Sequence, residues 1–293
     1  MKIGIYGGTF DPIHRGHITA AQAAAQQLGL DLLLLIPASI PPHKALPEGG
    51  ADAAQRLEMA TLATAELSCP AQVLDVEVRR QGKSYTADTL RTLRRQYPED
   101  ELWLLMGTDM FLSLQDWHEP QEILRLVRVA AFSRTGDPEQ QRFARQRAYL
   151  EKTFGAQVTV VENPHVVDIS STRLRQLLPE GREYLPEAVY GYILRQRLYG
   201  THAELKHLTP EELRPIALSF LKPKRMPHVL GTEQEAIRLA RRYGADETDP
   251  RIAALLHDCT KKLDLPQQLS LCRHYAIPLD EMERNYLCLL YTS

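Results

Sequence analysis

Short apolar runs recur along the first half of the chain, with stretches of helical length between them. Ile3-Gly4-Ile5, Leu32 to Ile36, Val73 to Val78, Leu102 to Met106, Val127 to Phe132 and Val158 to Val161 are too short for buried helices, and turn residues flank them. Ile18 to Leu28, Ala51 to Leu67 and Ala87 to Tyr97 are among the segments between. Apolar strands alternating with helices are buried on both faces when they form a parallel sheet covered by those helices. The pattern predicts an α/β domain with a Rossmann-like parallel sheet.

That pattern fades after Val161. Pro186 to Leu198, Pro210 to Phe220, His228 to Tyr243, Pro250 to His257 and Pro266 to His274 read as helices only, with Gly200-Thr201-His202 and Leu221 to Arg225 as connectors. The expected organisation is an α/β domain over residues 1–199 and an all-α domain over 200–293. A chain of 293 residues can hold two such cores. With 35 basic and 37 acidic residues the net charge is −2, so no global basic field points to nucleic acid, and an anionic substrate must be met locally. Cys69, Cys259, Cys272 and Cys288 form no CxxC pair, which predicts reduced thiols rather than a disulfide or zinc framework. The chain opens directly into a strand pattern, and Leu32 to Ile36 is far too short to span a bilayer. The expectation is a cytoplasmic protein with no membrane or nucleic-acid partner.

Directly after the first apolar run stands Gly7-Gly8-Thr9-Phe10-Asp11-Pro12-Ile13-His14-Arg15-Gly16-His17. In a parallel sheet the ligand lies beyond the carboxyl ends of the strands, where glycine turns and helix N-termini bring backbone N–H groups up to phosphate. Gly7 and Gly8 suit that role. His14 and His17 straddle Gly16 at a helix start, so both imidazoles can face one bound group. There is no Walker-type lysine, no GxGxxG and no poised nucleophile. Transfer at phosphorus needs mainly positioning and charge stabilisation, and two imidazole donors supply that. Ser170-Ser171-Thr172 precede another helix start carrying Arg173 and Arg175. Hydroxyls there are ordinarily N-caps, but with the guanidinium they can also meet phosphate.

The first stretch resembles the opening signature of the HxGH nucleotidyltransferases, most closely the bacterial nicotinate-nucleotide adenylyltransferases. Four further stretches carry the resemblance over residues 1–199: PPHK at 41–44, SYTADTL at 84–90, GTDMFLSLQDWHE at 107–119 and ISSTRLR at 169–175. It implies catalytic roles for His14, His17, Lys44 and Arg175. It implies ATP contacts from Gly7, Gly8, Thr9, Phe10, Gly16, Gly107, Asp109, Arg134, Ile169, Ser170, Ser171 and Thr172. The nicotinate ring and carboxylate would meet Ser84, Tyr85, Thr86 and Trp117. The implied substrates are ATP and nicotinic acid mononucleotide, with Mg²⁺ entering on the ATP phosphates. Two alternatives stand beside this reading: another HxGH enzyme such as pantetheine-phosphate adenylyltransferase, and a nucleotide-binding module without turnover. SYTADTL followed by Trp117 argues against the first, and the intact His14, His17, Lys44 and Arg175 against the second.

The second domain carries RMPHVLGTEQEAIRLARRYGAD followed by IAALLHDCTK, with His228 near one helix start and His257-Asp258 at the end of another helix. This resembles the first part of the HD-domain metal phosphohydrolases that split diadenosine tetraphosphate symmetrically. The resemblance implies Fe²⁺ or Mn²⁺ on His228, His257 and Asp258. The family draws on further histidines, and after Leu289-Leu290 this sequence has Tyr291 instead. Asp264 and Asp280 read as helix caps. Three ligands under-coordinate such a metal, so the expectation is an incomplete, inactive HD-type domain.

Overall fold

The computed structural model describes residues 1–40, 49–80, 83–133, 137–163, 167–202, 204 and 206–285. Lys44, Arg134 and Tyr291, named above, lie outside the described residues. The chain divides into two compact units, 1–186 and 187–293.

In the first unit, β1 (Lys2–Gly8), β2 (Leu32–Pro37), β3 (Ala71–Val73), β4 (Glu101–Gly107), β5 (Arg128–Ser133) and β6 (Val158–Glu162) form one sheet in the order β3-β2-β1-β4-β5-β6. Every pairing is parallel. The strands are buried on both faces because the helices cover them, which is why they read as apolar runs rather than alternating ones. The strand order reverses between β1 and β4, and the crevice beyond their carboxyl ends is where a sheet of this kind binds ligands. Register brings Tyr6 of β1 opposite Leu105 of β4 and Gly7 opposite Ile36 of β2.

The helices of this unit are α1 (Arg15–Leu28), α2 (Ala53–Ala63), α3 (Thr86–Gln96), α4 (Thr108–Leu112), α5 (Pro120–Leu126), α6 (Asp137–Phe154) and α7 (Ser171–Leu177). α1 lies close to the sheet because its buried face is largely alanine: Ala20, Ala21, Ala23, Ala24 and Ala25, with Ile18 and Leu28. Gly29, left-handed at φ 62°, ends it by donating its N–H to the Ala25 carbonyl.

One expected strand is misplaced. The run Val73 to Val78 contributes only Val73 to β3, and the chain then turns, with the Arg79 N–H on the Asp75 carbonyl at 2.8 Å. Leu74 still donates its N–H to the Leu35 carbonyl of β2 at 2.9 Å, and both Leu74 and Val76 pack against the core, so the apolarity beyond Val73 records mainly burial.

The second unit is helical: α8 (Glu187–Gln196), α9 (Pro210–Leu218), α10 (Met226–Tyr243), α11 (Thr248–Leu256), α12 (Leu265–His274) and α13 (Glu281–Asn285). The division at residue 186 puts α8 with these helices, earlier than the boundary expected near Gly200. The reason is close packing of α8 on α9: a Cβ on Gly191 would stand 1.8 Å from the Pro215 carbonyl oxygen, so only glycine permits this approach. Glu233, buried on α10, receives Arg251 at 3.0 Å and Arg214 at 3.3 Å, joining α9, α10 and α11 through one paired carboxylate. Asp264 caps α12 by accepting the Gln267 N–H at 2.9 Å, as the sequence predicts. Among the described residues no helix is long and apolar enough to cross a membrane.

Candidate active site

The turn between β1 and α1 brings the two histidines together. His14 is the N-cap of α1, and its imidazole lies 3.8 Å from that of His17, centroid to centroid. Gly16 makes this possible: a Cβ there would come within 3.0 Å of the His14 ring and 3.2 Å of the Val167 carbonyl oxygen. The His14 backbone N–H donates to His17 Nδ1 at 3.2 Å. A nitrogen that accepts cannot carry the proton of a neutral ring, so neutral His17 bears its hydrogen on Nε2. His14 Nδ1 is buried without a hydrogen-bond partner among the described residues. Burial lowers the pKa of His14 to about 4, and burial together with the neighbouring His14 holds His17 well below the usual histidine range. Both imidazoles are therefore neutral N–H groups at physiological pH.

Two cavities meet at this pair. One, about 330 Å³, is lined by His14, Gly16, Asp109, Ile169, Ser170 and Ser171 among others. The other, about 490 Å³, takes in Gly7, Gly8, Thr9, Ser84, Tyr85, Thr86 and Trp117. Tyr6, His17, Gly107 and Met110 line both. In the larger cavity Tyr85 is the N-cap of α3, so the first N–H groups of that helix have no intrahelical acceptor. The Tyr85 ring lies 4.3 Å from that of His118, tilted by 37°, and Trp117 lines the same cavity.

Among the described residues of the first unit, most of those singled out in the sequence line these cavities, and Phe10, Thr172 and Arg175 do not. Phe10 is left-handed at φ 51° and packs its ring edge-on to His17 at 5.2 Å. Arg175, expected at phosphate, donates from Nη1 to the Asp11 carbonyl at 2.5 Å, with the Asp11 carboxylate 3.6 Å away. Its Nη2 reaches the Thr172 hydroxyl at 3.4 Å, and neither residue lines a cavity. Ser170 does cap α7, accepting the Arg173 N–H at 3.2 Å, and the Ser171 hydroxyl donates to the Pro12 carbonyl at 2.9 Å. These contacts tie α7 to the histidine turn.

Sequence reasoning missed Arg56, Glu77 and His118. Arg56 is fully buried and donates to the carbonyls of Thr9 at 2.9 Å, Ser39 at 3.0 Å and Ala51 at 3.3 Å, and also to that of Ala38. Glu77 and His118 line the larger cavity. Glu77 had only a weak signal, one of two acids with Asp75 inside the apolar run Val73 to Val78; Arg56 had none, because a helix surface arginine reads the same.

In the second unit His228 and His257 converge, Nε2 to Nε2 at 3.2 Å, with Asp258 beneath them. The His257 Nδ1 lies 2.7 Å from the Ala254 carbonyl, which fixes the ring with Nε2 outward. These three are the one metal-ligating cluster among the described residues. Asp258 is committed elsewhere: Lys261 Nζ lies 2.5 Å from Oδ1, and Arg225 is paired with Oδ2. Burial works to raise its carboxyl, but hydrogen bonds from Lys261 and Arg225 outweigh it and hold the group below the usual carboxylate range. Two imidazoles and a carboxylate already neutralised by two cations do not fit a resident divalent metal.

Residues 5–177 match the cytidylyltransferase-like family. A probable nicotinate-nucleotide adenylyltransferase of Gloeobacter violaceus is 42% identical over 209 residues, covering 69% of this chain and 98% of the relative. One from Carboxydothermus hydrogenoformans is 38% identical over 201 residues, covering 68% and 98%. Among solved structures, the Plasmodium falciparum nicotinic acid mononucleotide adenylyltransferase complexed with NaAD superimposes with a TM-score of 0.55 at 18% identity, over 69% of this chain and 99% of that one. That likeness speaks to the fold. The first two thirds of the chain thus belong to the cytidylyltransferase-like family, and within it to the nicotinate-nucleotide adenylyltransferases.

Proposed function

We propose that the first unit transfers the adenylyl group of ATP to nicotinic acid mononucleotide, giving deamido-NAD and pyrophosphate. The observation that carries this is the pair of cavities sharing His17: histidines, Ser170 and Ser171 at one end, and an open helix N-terminus with Trp117 at the other. The mononucleotide's phosphate oxygen forms a bond to the α-phosphorus of ATP as the bond from that phosphorus to the leaving pyrophosphate breaks. The nucleophile is already anionic, so no proton moves and no general base is needed. His17 Nε2–H and the His14 imidazole donate to the α-phosphate as charge builds on it. Ser170, Ser171 and Thr172 with Lys44 and Arg134 attend the ATP phosphates and nucleotide, and Asp109 the ribose. Arg175 acts by holding Asp11 and hence the histidine turn. Mg²⁺ bound to the ATP phosphates would neutralise charge on the departing pyrophosphate.

Tyr85 and Thr86 at the start of α3 offer backbone N–H groups and a positive dipole end, which suit a carboxylate and oppose the NH₂ of a carboxamide. Trp117 supplies a face for the pyridine ring. We infer that the second unit is an HD-type helical domain without metal phosphohydrolase activity, because Arg225 and Lys261 occupy the one buried carboxylate of its histidine cluster.

The assignment is tested by running ATP, Mg²⁺ and either mononucleotide side by side and scoring pyrophosphate. The nicotinic acid form should exceed the nicotinamide form by at least tenfold in kcat/KM, and equal values would sink it. His14→Ala and His17→Ala should each lower kcat by about a hundredfold or more at unchanged folding, since an oriented donor to transition-state charge contributes about 2.7–4 kcal/mol; near-normal turnover in either would refute the donor pair. In an NMR titration the His14 ring should protonate near pH 4. Its folded pKa is below the unfolded value of about 6.5, so the unfolded chain binds more protons between those values and stability should fall as pH drops through that window. A midpoint near 6.5 would contradict the neutral pair. For the second unit, full-length protein loaded with Fe²⁺ or Mn²⁺ should release no ADP from diadenosine tetraphosphate; turnover abolished by His257→Ala would overturn that reading.

A further inference from the structure

Glu77 is an acid in the wall of the larger cavity that no role above uses. It is 8% exposed, and it shares that wall with Ser84, Tyr85, Thr86, Thr89 and Trp117. Its Oε1 accepts the Thr89 hydroxyl at 2.8 Å, and the Ser84 hydroxyl is a second donor. Arg80, which also reaches the Thr89 hydroxyl at 3.3 Å, stands close enough to offset the charge. Burial still pushes the Glu77 carboxyl up from its ordinary value, against the pull of Thr89, Ser84 and Arg80.

The two hydroxyls bracket the N-terminus of α3. Ser84 precedes the Tyr85 cap, and Thr89 lies one turn after it. Ser84 also joins the chain after β2: its hydroxyl oxygen accepts the Ser39 N–H at 3.1 Å, and its own N–H donates to the Ile40 carbonyl at 3.1 Å. With their hydroxyl protons committed to a buried carboxylate, Ser84 and Thr89 do not donate to a ligand at this end, while the backbone N–H groups at the start of α3 have no intrahelical acceptor.

We propose that Glu77 is a positioning residue for substrate specificity: through Ser84 and Thr89 it fixes the first turn of α3 and leaves backbone N–H groups as the donors facing the mononucleotide. The inference rests on the reading that nicotinic acid mononucleotide occupies this cavity. Glu77 touches neither the histidines nor the cavity of Ser170 and Ser171, so its effect belongs to one substrate.

The test is steady-state kinetics of the full chain with each substrate varied in turn. Glu77→Ala should raise KM for nicotinic acid mononucleotide tenfold or more, leave KM for ATP within about twofold, and narrow the preference over the nicotinamide form. Glu77→Gln keeps an oxygen acceptor for the Thr89 hydroxyl and should recover most of the loss. Where Glu77→Ala fails to fold, Thr89→Val removes the donated hydroxyl at nearly constant volume and must give the same split in KM. Equal rises in both KM values, an unchanged KM for the mononucleotide, or a glutamine variant as impaired as alanine would overturn the proposal. If the wild-type protein fails to use nicotinic acid mononucleotide, the substrate reading falls; the same variants assayed on the mononucleotide it accepts still decide the role of Glu77.

Discussion

The buried guanidinium of Arg56 is the constraint on which the site depends. Burying a charge costs several kcal/mol unless its hydrogen-bonding capacity is met, and here backbone carbonyls from three separate loops meet it. Thr9 belongs to the histidine turn, Ser39 to the chain after β2, and Ala51 to the approach to α2. A planar fork of donors can satisfy all three only if they keep a fixed spacing, so the cation converts loops into one rigid rim around the carboxyl end of β1. Lysine, with one point charge on a flexible stem, could not hold the same set.

Asp11 works on the same rim from the other side. Its carboxylate accepts the Ala51 N–H at 3.0 Å, and Arg175 holds its carbonyl. The histidine turn is thus pinned to the approach to α2 and to α7 before any ligand arrives. Catalysis at phosphorus that relies on positioned neutral donors requires such preorganisation, because a donor that must first reorient gives back its advantage in reorganisation. The depressed pKa values of His14 and His17 follow from the same burial, so the enclosure that fixes the imidazoles also sets their protonation.

Much of this was legible in the sequence, for identifiable reasons. Apolar runs of strand length gave five of the six strands nearly in place, because strands covered on both faces carry an unbroken apolar signal. The sixth ended early, where the signal came from residues packed against the core beyond the strand: Val76 is as apolar as a strand residue but lies in a turn. The histidine pair was readable because Gly16 between the two rings leaves a trace in spacing. The bond from Arg175 to the Asp11 carbonyl was not legible, since an arginine after a serine-rich helix start carries no mark of whether it also holds the protein's own backbone. Arg56 was invisible for a related reason: its partners are carbonyl groups, which every residue possesses.

The same distinction separates the two ends of the larger cavity. Donors that are side chains announce themselves by residue type, and donors that are backbone N–H groups are written only in where a helix begins. At Tyr85 and Thr86 the start of α3 opens backbone N–H groups to the cavity, and what the sequence can encode is the apparatus that holds that backbone still. Glu77, Ser84 and Thr89 are that apparatus: an acid and two hydroxyls that spend their polarity on each other within the fold. A carboxylate in the wall of the cavity would oppose an anion only if the acid faced it with free acceptors. With its oxygens receiving protein hydroxyls and Arg80 nearby, its charge is absorbed locally, and the net field at the start of α3 is left to the N–H groups and the helix dipole.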